Sequence, residues 1–494
     1  MPSDTPPRAS TAAQALVAGF ALVGVYLLWA SLPWPLIHDA PILHYIARRI
    51  AAGAVPYRDV FDMNQPGVYL LHRAVVAVFG DTDFAWRLFD VGWLALTGAL
   101  LWAFARPWGP VAAAGSAALF AVYHLAGGAW QAGQRDFVLC AFLLAGALGV
   151  AGWLDAASGA RWRLAVAGLA LGAGVTLKPH ALLFALALGL LALAAGSRLA
   201  RPLRDLVLYA AGLVAPPLVV LAWLAARGAL GAWGAIVVDY LVPLYARLGR
   251  PDDWQFWRVE VWIALGAAVV LSVATAAWGR RLTWRHGIAL LGVAYGLVHY
   301  VGQRKGWEYH LYPLAVFAAV LAFSEVDRLL AGRRFVPGGL VAAALVATVV
   351  LLGVRGVQTS EADWIWDKER TVRLLVDDLR SRMAPGDRVQ VLDTAEGGIH
   401  ALLRLGAAQA TRFIYDFHFF HDVDHPTIQR LRSDFMRELT AQPPRFVVVF
   451  EHGWPSGRLD RVGRFPALSR FLEEGYGVVQ RRPAYVILEK RQRP

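Results

Sequence analysis

"RLAVAGLALGAGVTLKPHALLFALALGLLALAA", Arg163 to Ala195, is too long for one ordinary membrane span and is interrupted by "TLKPH" at Thr176 to His180. A span needs about 20 apolar residues to cross about 30 Å of hydrocarbon. Proline disfavours helix at the residue before it and has no N–H of its own to donate, so the segment divides at Lys178-Pro179 into two short spans. Other apolar windows lie near 12–32, 84–105, 108–126, 136–154, 205–226, 258–278, 309–330 and 337–355, and the shorter 287–302 crosses if its ends snorkel. With the division, eleven spans are expected. If the N-terminus is cytoplasmic, the inner turns are "ARPWGP", "SGARWR", "GSRLARPLR", "WGRRLTWRHG" and "AGRRFVPGG", and each carries arginine. Without the break at Lys178 the arginines of "GSRLARPLR" would face outward and every later loop would invert, so charge and proline agree.

The composition supports an integral membrane protein. The chain has 494 residues, 57% of them hydrophobic, and its mean hydropathy is +0.46, far above a soluble enzyme of that size. Much of the net charge of +12 is topological arginine, and no basic helix or stacking aromatic array points to nucleic acid. The single cysteine, Cys140, falls inside a span, so no disulfide is expected in the exported part. Polar residues 1–10 precede a long first span with no small-residue cleavage site, the pattern of a retained anchor.

Between the first two spans runs "IHDAPILHYIARRIAAGAVPYRDVFDMNQPG", Ile37 to Gly67, rich in acids, bases and proline. Asp39 stands just beyond the outer end of the first span, where a carboxylate can meet both water and lipid headgroups, and it reads as the N-cap of a helix starting at Ala40. In that helix, up to Ala52, Ile42, Ile46 and Ile50 fall on one stripe and His44 and Arg48 on another, as in a helix lying in the interface. Asp59 and Asp62 flank a loop and read as solvated or turn-forming acids ahead of a catalytic role. The segment after about Arg355 is then exported, and residues 360 to 494 change character: "RVQVLD", "RFIYD", "RFVVVFE" and "YVILEK" read as strands between helical stretches. The expectation is a membrane domain over 1–357 and an extracytoplasmic α/β domain over 358–494.

The loop "HDAPILHYIARRIAAGAVPYRDVFDMNQPGVYLL" resembles the first outer loop of GT-C glycosyltransferases that use lipid-phosphate sugars, such as protein O-mannosyltransferases and lipid A aminoarabinose transferases. The resemblance implies that Asp39 is catalytic. Ala40 stands where the family often has Glu, and Gln65 stands before the proline where lipid A transferases tend to carry Lys. "AWRLFDVGW" through Arg87, "GQRDFVL" through Arg135 and Asp136, "GVTLKPH" through Lys178, and "QRKGWEYHLYP" through Lys305, Tyr309 and Pro313 are similar to further family motifs across the first 330 residues or so. The implied fold is a polytopic α-helical, GT-C-like membrane domain with interfacial helices in its first outer loop, followed by a soluble α/β domain.

In the topology above, Asp39, Arg87, Asp136, Lys178, Arg304, Lys305 and His310 all fall at outer span ends or in outer loops. Ionisable groups at such depth usually face protein or a water-filled cavity. The chain has only four lysines, Lys178, Lys305, Lys368 and Lys490, and two of them occupy outer span ends, where a compact, movable ammonium suits a phosphate; chance placement is the bland alternative. Arg87 and Asp90, spaced i, i+3, read either as a mutual pair or as a phosphate contact. "YDFHFFHDVDHP" gathers His418, His421 and His425 without metal-ligand spacing elsewhere, so no metal is expected. "DTAEGG" reads as an ordinary strand-to-helix turn.

The expected activity is transfer of a sugar from a polyprenyl-phosphate donor to a glycan, lipid or protein acceptor, with inversion, at the extracytoplasmic face of the inner (plasma) membrane. Asp39 and Asp136 are the expected catalytic residues. Lys178, Lys305, Arg135 and Arg87 are expected at the donor phosphate, and His44, Arg48, Gln65, Tyr309 and His310 at the substrates. No cofactor and no nucleic-acid partner is expected. The rival reading, a flippase of lipid-linked saccharides, would call for inverted repeats and polar breaks at mid-membrane, whereas these ionisable residues gather at one end.

Overall fold

The computed structural model describes residues 10–156, 160–198, 203–250, 256–331, 335–360, 362–455 and 457–492; the arginine turns at 158–163, 196–204 and 331–339 lie partly outside them. Each of the eleven apolar segments is helical. Seven helices among the described residues are long and apolar enough to cross a membrane. The protein is a multi-pass membrane protein with a small C-terminal sheet.

In chain order the helices are α1 (Thr11–Ala30), α2 (Asp39–Ala51), α3 (Pro66–Phe79), α4 (Asp83–Ala105), α5 (Pro110–Leu125), α6 (Arg135–Asp155), α7 (Trp162–Leu177) and α8 (Ala181–Arg198). They continue with α9 (Arg204–Ala226), α10 (Leu230–Ile236), α11 (Val259–Trp278), α12 (Trp284–Gln303), α13 (Tyr312–Phe323), α14 (Val326–Ala331) and α15 (Phe335–Ser360). The last four are α16 (Asp363–Arg380), α17 (Gly398–Leu405), α18 (Pro426–Ala441) and α19 (Pro466–Gly475).

Two compact units form: Met1–Trp34, Thr82–Val220 and Pro251–Glu361 make the first, and Pro35–Asp81, Leu221–Arg250 and Ala362–Pro494 the second. In the first, α1 packs on α5, α4 on α5 and α6, α6 on α7, α11 on α15, and α12 on α13. α7 ends where proline dictates, with Lys178 extended at φ −141°, ψ 103°. Small residues let helices meet backbone to backbone: a Cβ on Gly168 of α7 would lie 2.1 Å from the Tyr209 carbonyl oxygen of α9.

The second unit is built on a four-stranded sheet of order β1-β2-β4-β3, from β1 (Val389–Leu392), β2 (Phe446–Phe450), β3 (Tyr476–Arg481) and β4 (Tyr485–Lys490). β1 and β2 pair in parallel and β4 lies antiparallel to β2 and β3. β1 and β2 are buried throughout, which explains the unbroken apolar run of β2, and the one polar residue of β1, Gln390, accepts from the Thr411 N–H at 3.2 Å. The polar first loop joins this unit: the Phe61 N–H donates to the Arg412 carbonyl at 2.7 Å, and α2 packs on both α3 and α17.

Candidate active site

In the first unit, Asp136 occupies the first turn of α6 directly after Arg135. Its carboxylate is 0% exposed. One oxygen lies 2.9 Å from Lys178 Nζ and the other accepts a 2.7 Å hydrogen bond from His299 Nε2. The N-terminus of a helix favours an anion there, and the helix break at Pro179 is what brings an ammonium rather than a turn of apolar helix to it. His299 sits on α12 with Tyr295 and Gln303 four residues to either side, so all three share a face. The Tyr295 hydroxyl lies 3.5 Å from His299 Nδ1 and the Gln303 amide 2.9 Å from Nε2.

The rings of His180 and His310 meet His299 edge-on, with centroids 5.6 and 5.7 Å away. His310 is buried, within electrostatic range of Asp136, Lys178, His299 and Arg135, and its Nδ1 makes no hydrogen bond among the described residues. Beside it, Tyr309 stands between the rings of Trp130 and Trp307 at 5.7 and 5.5 Å, and the Lys305 ammonium lies 5.7 Å over Trp307. Arg135, Lys178 and Lys305 outnumber the Asp136 carboxylate, and the neighbouring buried Glu308 is paired with Arg258, so the group carries positive charge suited to an anion, with aromatic faces next to it.

Of the two readings of Arg87 and Asp90, the mutual pair is present. Arg87 is 2% exposed, paired to Asp90, bonded to the Ser31 hydroxyl and stacked over Trp34. Asp90 also accepts from the Gly133 N–H at 2.6 Å and meets His124 Nε2 at 3.1 Å. Gly133 has φ +62°, and a Cβ there would lie 2.0 Å from Trp86, so only glycine fits this turn. The network therefore braces the loop that leads into Arg135 and Asp136.

In the second unit, Asp39 begins α2 as its first helical residue, with His38 before it. This corrects the expected start at Ala40: Asp39 lies inside the first turn rather than at the cap. Ile42, Ile46 and Ile50 are buried as expected, but His44 is buried as well, which corrects its assignment to a polar interfacial stripe. Its Nδ1 lies 2.9 Å from His72 Nδ1 of α3 and 3.1 Å from the Ala40 carbonyl. Burial pushes the His44 imidazole down to about 4, so it is neutral at ordinary pH.

Arg48 is held by Asp81 and by the Leu403 carbonyl, both at 3.1 Å. Gln65 precedes Pro66 with extended backbone and starts α3. Asp59 and Asp62 form turns: Asp59 accepts from the Val55 N–H at 2.8 Å, and Asp62 from the Met63 N–H at 2.7 Å and the Tyr69 hydroxyl at 2.7 Å.

The histidine run clasps a tyrosine. His418 Nδ1 lies 2.7 Å and His421 Nε2 3.0 Å from the Tyr240 hydroxyl, carried by a π-helical turn at Val237–Tyr245. His425 instead accepts from the Thr427 N–H to start α18. Among the described residues no group of three His, Cys, Asp or Glu is placed to hold a metal ion. "DTAEGG" is a strand-to-helix turn whose own Asp393 takes the N–H groups of Glu396, Gly397 and Gly398 at 2.9, 3.0 and 2.8 Å. Burial and the nearby Glu396 raise the Asp393 carboxyl to about 6.

Sequence reading missed His299, Gln303 and Trp130 in the first unit, and His72, Tyr240 and the place of Lys368 in the second. One signal was available for the first two: Tyr295, His299 and Gln303 recur every four residues on the least apolar of the expected spans.

Residues 64–224 match the family described as dolichyl-phosphate-mannose-protein mannosyltransferase. No curated protein matches the chain. Its structure is similar to that of ArnT from Cupriavidus metallidurans bound to undecaprenyl phosphate, with TM-score 0.62 and 14% identity over 96% of this chain and 98% of that one. It is also similar to the oligosaccharyltransferase AglB from Archaeoglobus fulgidus in complex with an inhibitory peptide and a dolichol-phosphate, with TM-score 0.52 and 11% identity over 97% of this chain and 74% of that one. The fold is the ArnT-like GT-C fold.

Proposed function

We propose that this GT-C-fold membrane protein is an inverting glycosyltransferase that moves a sugar from a polyprenyl-phosphate donor to a lipid, glycan or protein acceptor at the outer face of the membrane. The observation that carries the reading is the buried Asp136, Lys178 and His299 group, bordered by Arg135, Lys305 and aromatic rings. It is supported by the sequence match to mannosyltransferases that use a lipid-phosphate sugar and by the likeness in fold to ArnT, which binds undecaprenyl phosphate.

In this mechanism the acceptor hydroxyl attacks the anomeric carbon from the side opposite the phosphate. The bond from that carbon to the phosphate oxygen breaks, and the electron pair leaves with the polyprenyl phosphate. Asp39 takes the hydroxyl proton as general base. Lys178, Lys305 and Arg135 stabilise the charge gathering on the phosphate, the largest single contribution in a site partly closed from water. Asp136, itself fixed by His299, holds the Lys178 ammonium in place. Tyr309 and His310 contact the sugar, and Arg87 acts by bracing the loop before α6.

Purified protein incubated with a panel of undecaprenyl-phosphate sugars is expected to release undecaprenyl phosphate from one of them. Release from none, with the protein folded, overturns the reading. The same reading sets sidedness through the arginine-bearing turns: a reporter at the C-terminus is expected outside and one in the 196–204 turn inside. Both reporters on one side would break the eleven-span topology.

A further inference from the structure

Asp39 is preceded by an unusual stretch of backbone. His38 has φ 63° and ψ −116°, a conformation that a side chain with a Cβ rarely adopts and that persists only where the surroundings impose it. Within the same unit, Lys368 of α16 reaches this residue. Its Nζ lies 3.5 Å from His38 Nδ1 and 3.7 Å from a Glu396 carboxylate oxygen, and the residue is 9% exposed.

Lys368, His38, Asp393 and His400 line one small cavity together with Pro41 and Ile42 from the first turn of α2. The cavity measures about 10 Å³, no more than one water occupies. Lys368 borders this space with a compact ammonium whose donors can turn. This is one of the four lysines of an arginine-rich chain, and the phosphate chemistry proposed for Lys178 and Lys305 makes no use of it. Further along α2 other contacts dock the helix to the same region: the Gln409 N–H donates to the Tyr45 hydroxyl oxygen at 2.7 Å, and Arg48 donates to the Leu403 carbonyl. The first turn is where Lys368 acts.

We propose that Lys368 is a positioning residue for Asp39: by holding the His38 ring it fixes the first turn of α2, and with it the direction of the Asp39 carboxylate. The C-terminal α/β segment thereby becomes part of the transfer machinery without touching substrate. This rests on the reading of Asp39 as general base.

The test uses the full-length protein in detergent and the Lys368→Met variant, which keeps the stem and removes the ammonium. Two measurements decide it. The amides of Leu43, His44 and Tyr45 donate to carbonyls of the first turn, so their hydrogen exchange is expected to speed up about tenfold while exchange in β2 stays unchanged. With the undecaprenyl-phosphate sugar that turns over in the panel, kcat is expected to fall about tenfold with KM for the donor within about twofold, as for loss of an interaction made only in the transition state. In an Asp39→Asn background the same substitution is expected to change kcat by less than about twofold, because residues acting through one another are not additive.

Unchanged exchange at Leu43 to Tyr45 overturns the hold on the turn. An equal loss of kcat with and without Asp39 shows a general structural role and overturns the positioning. Retained turnover in Asp39→Asn alone would instead remove the base assignment, and the exchange measurement would still report whether Lys368 holds the turn.

Discussion

Asp39→Asn is expected to lower turnover by about 100- to 10,000-fold, the usual contribution of general-base assistance, while the protein still folds and binds donor. The amide is nearly the same size as the carboxylate. Because Asp39 lies within the first turn of α2, the substitution also loses a favourable charge near the helix N-terminus, worth about 0.3–1 kcal/mol at an exposed site. That is too little to unfold a helix buried along most of its length. A large fall in kcat with little change in melting temperature separates the two effects. Near-normal turnover would leave Asp39 as a helix-start residue and make Asp136 the better base.

Asp136→Ala is expected to be the costliest single substitution in the first unit, destabilising by about 3–5 kcal/mol. Removing the carboxylate leaves the Lys178 ammonium and the His299 Nε2 hydrogen without the acceptor they share. The double variant Asp136→Ala, Lys178→Met removes both charges and is expected to recover part of the loss, since an apolar pair in place of a buried ion pair is often close to neutral. Thermal unfolding in detergent of the two single variants and the double variant measures the coupling. A double variant no more stable than Asp136→Ala would mean that Lys178 is stabilised by other groups, and the proposal that Asp136 holds it for the phosphate would fall.

The local decisions of this fold are written in neighbouring residues. Pro179 acts on Lys178 through steric contact across one peptide bond, so the break between α7 and α8 could be read without any tertiary information. The apolar runs of α1, α4, α6 and α9 and the run of β2 are likewise decided within their own windows, because burial in lipid or under two layers demands continuous apolar surface. Asp39, Asp136, Lys178 and Lys305 could be picked out as candidates because charged residues beside such runs are costly without a reason.

What these groups touch depended on the tertiary structure. Lys178 meets Asp136 only because α6 and α7 pack together, and His299 joins them from α12, more than a hundred residues further on. Periodicity placed His44 opposite the Ile42 stripe, yet α3 and the sheet region close over that side as well, and the imidazole becomes a buried neutral group paired to His72. The spacing of Arg87 and Asp90 left pairing and phosphate binding equally open until Gly133, Ser31 and Trp34 were found around them. The same holds for the second unit, which draws residues 35–81, 221–250 and 362–494 into one body. The sequence by itself determined the elements and the break between α7 and α8, because those follow from sterics and hydropathy over a few residues. Partners were decided only by the tertiary structure, because an ion pair or a buried histidine is set by which distant helices pack together, and that choice has no local signature.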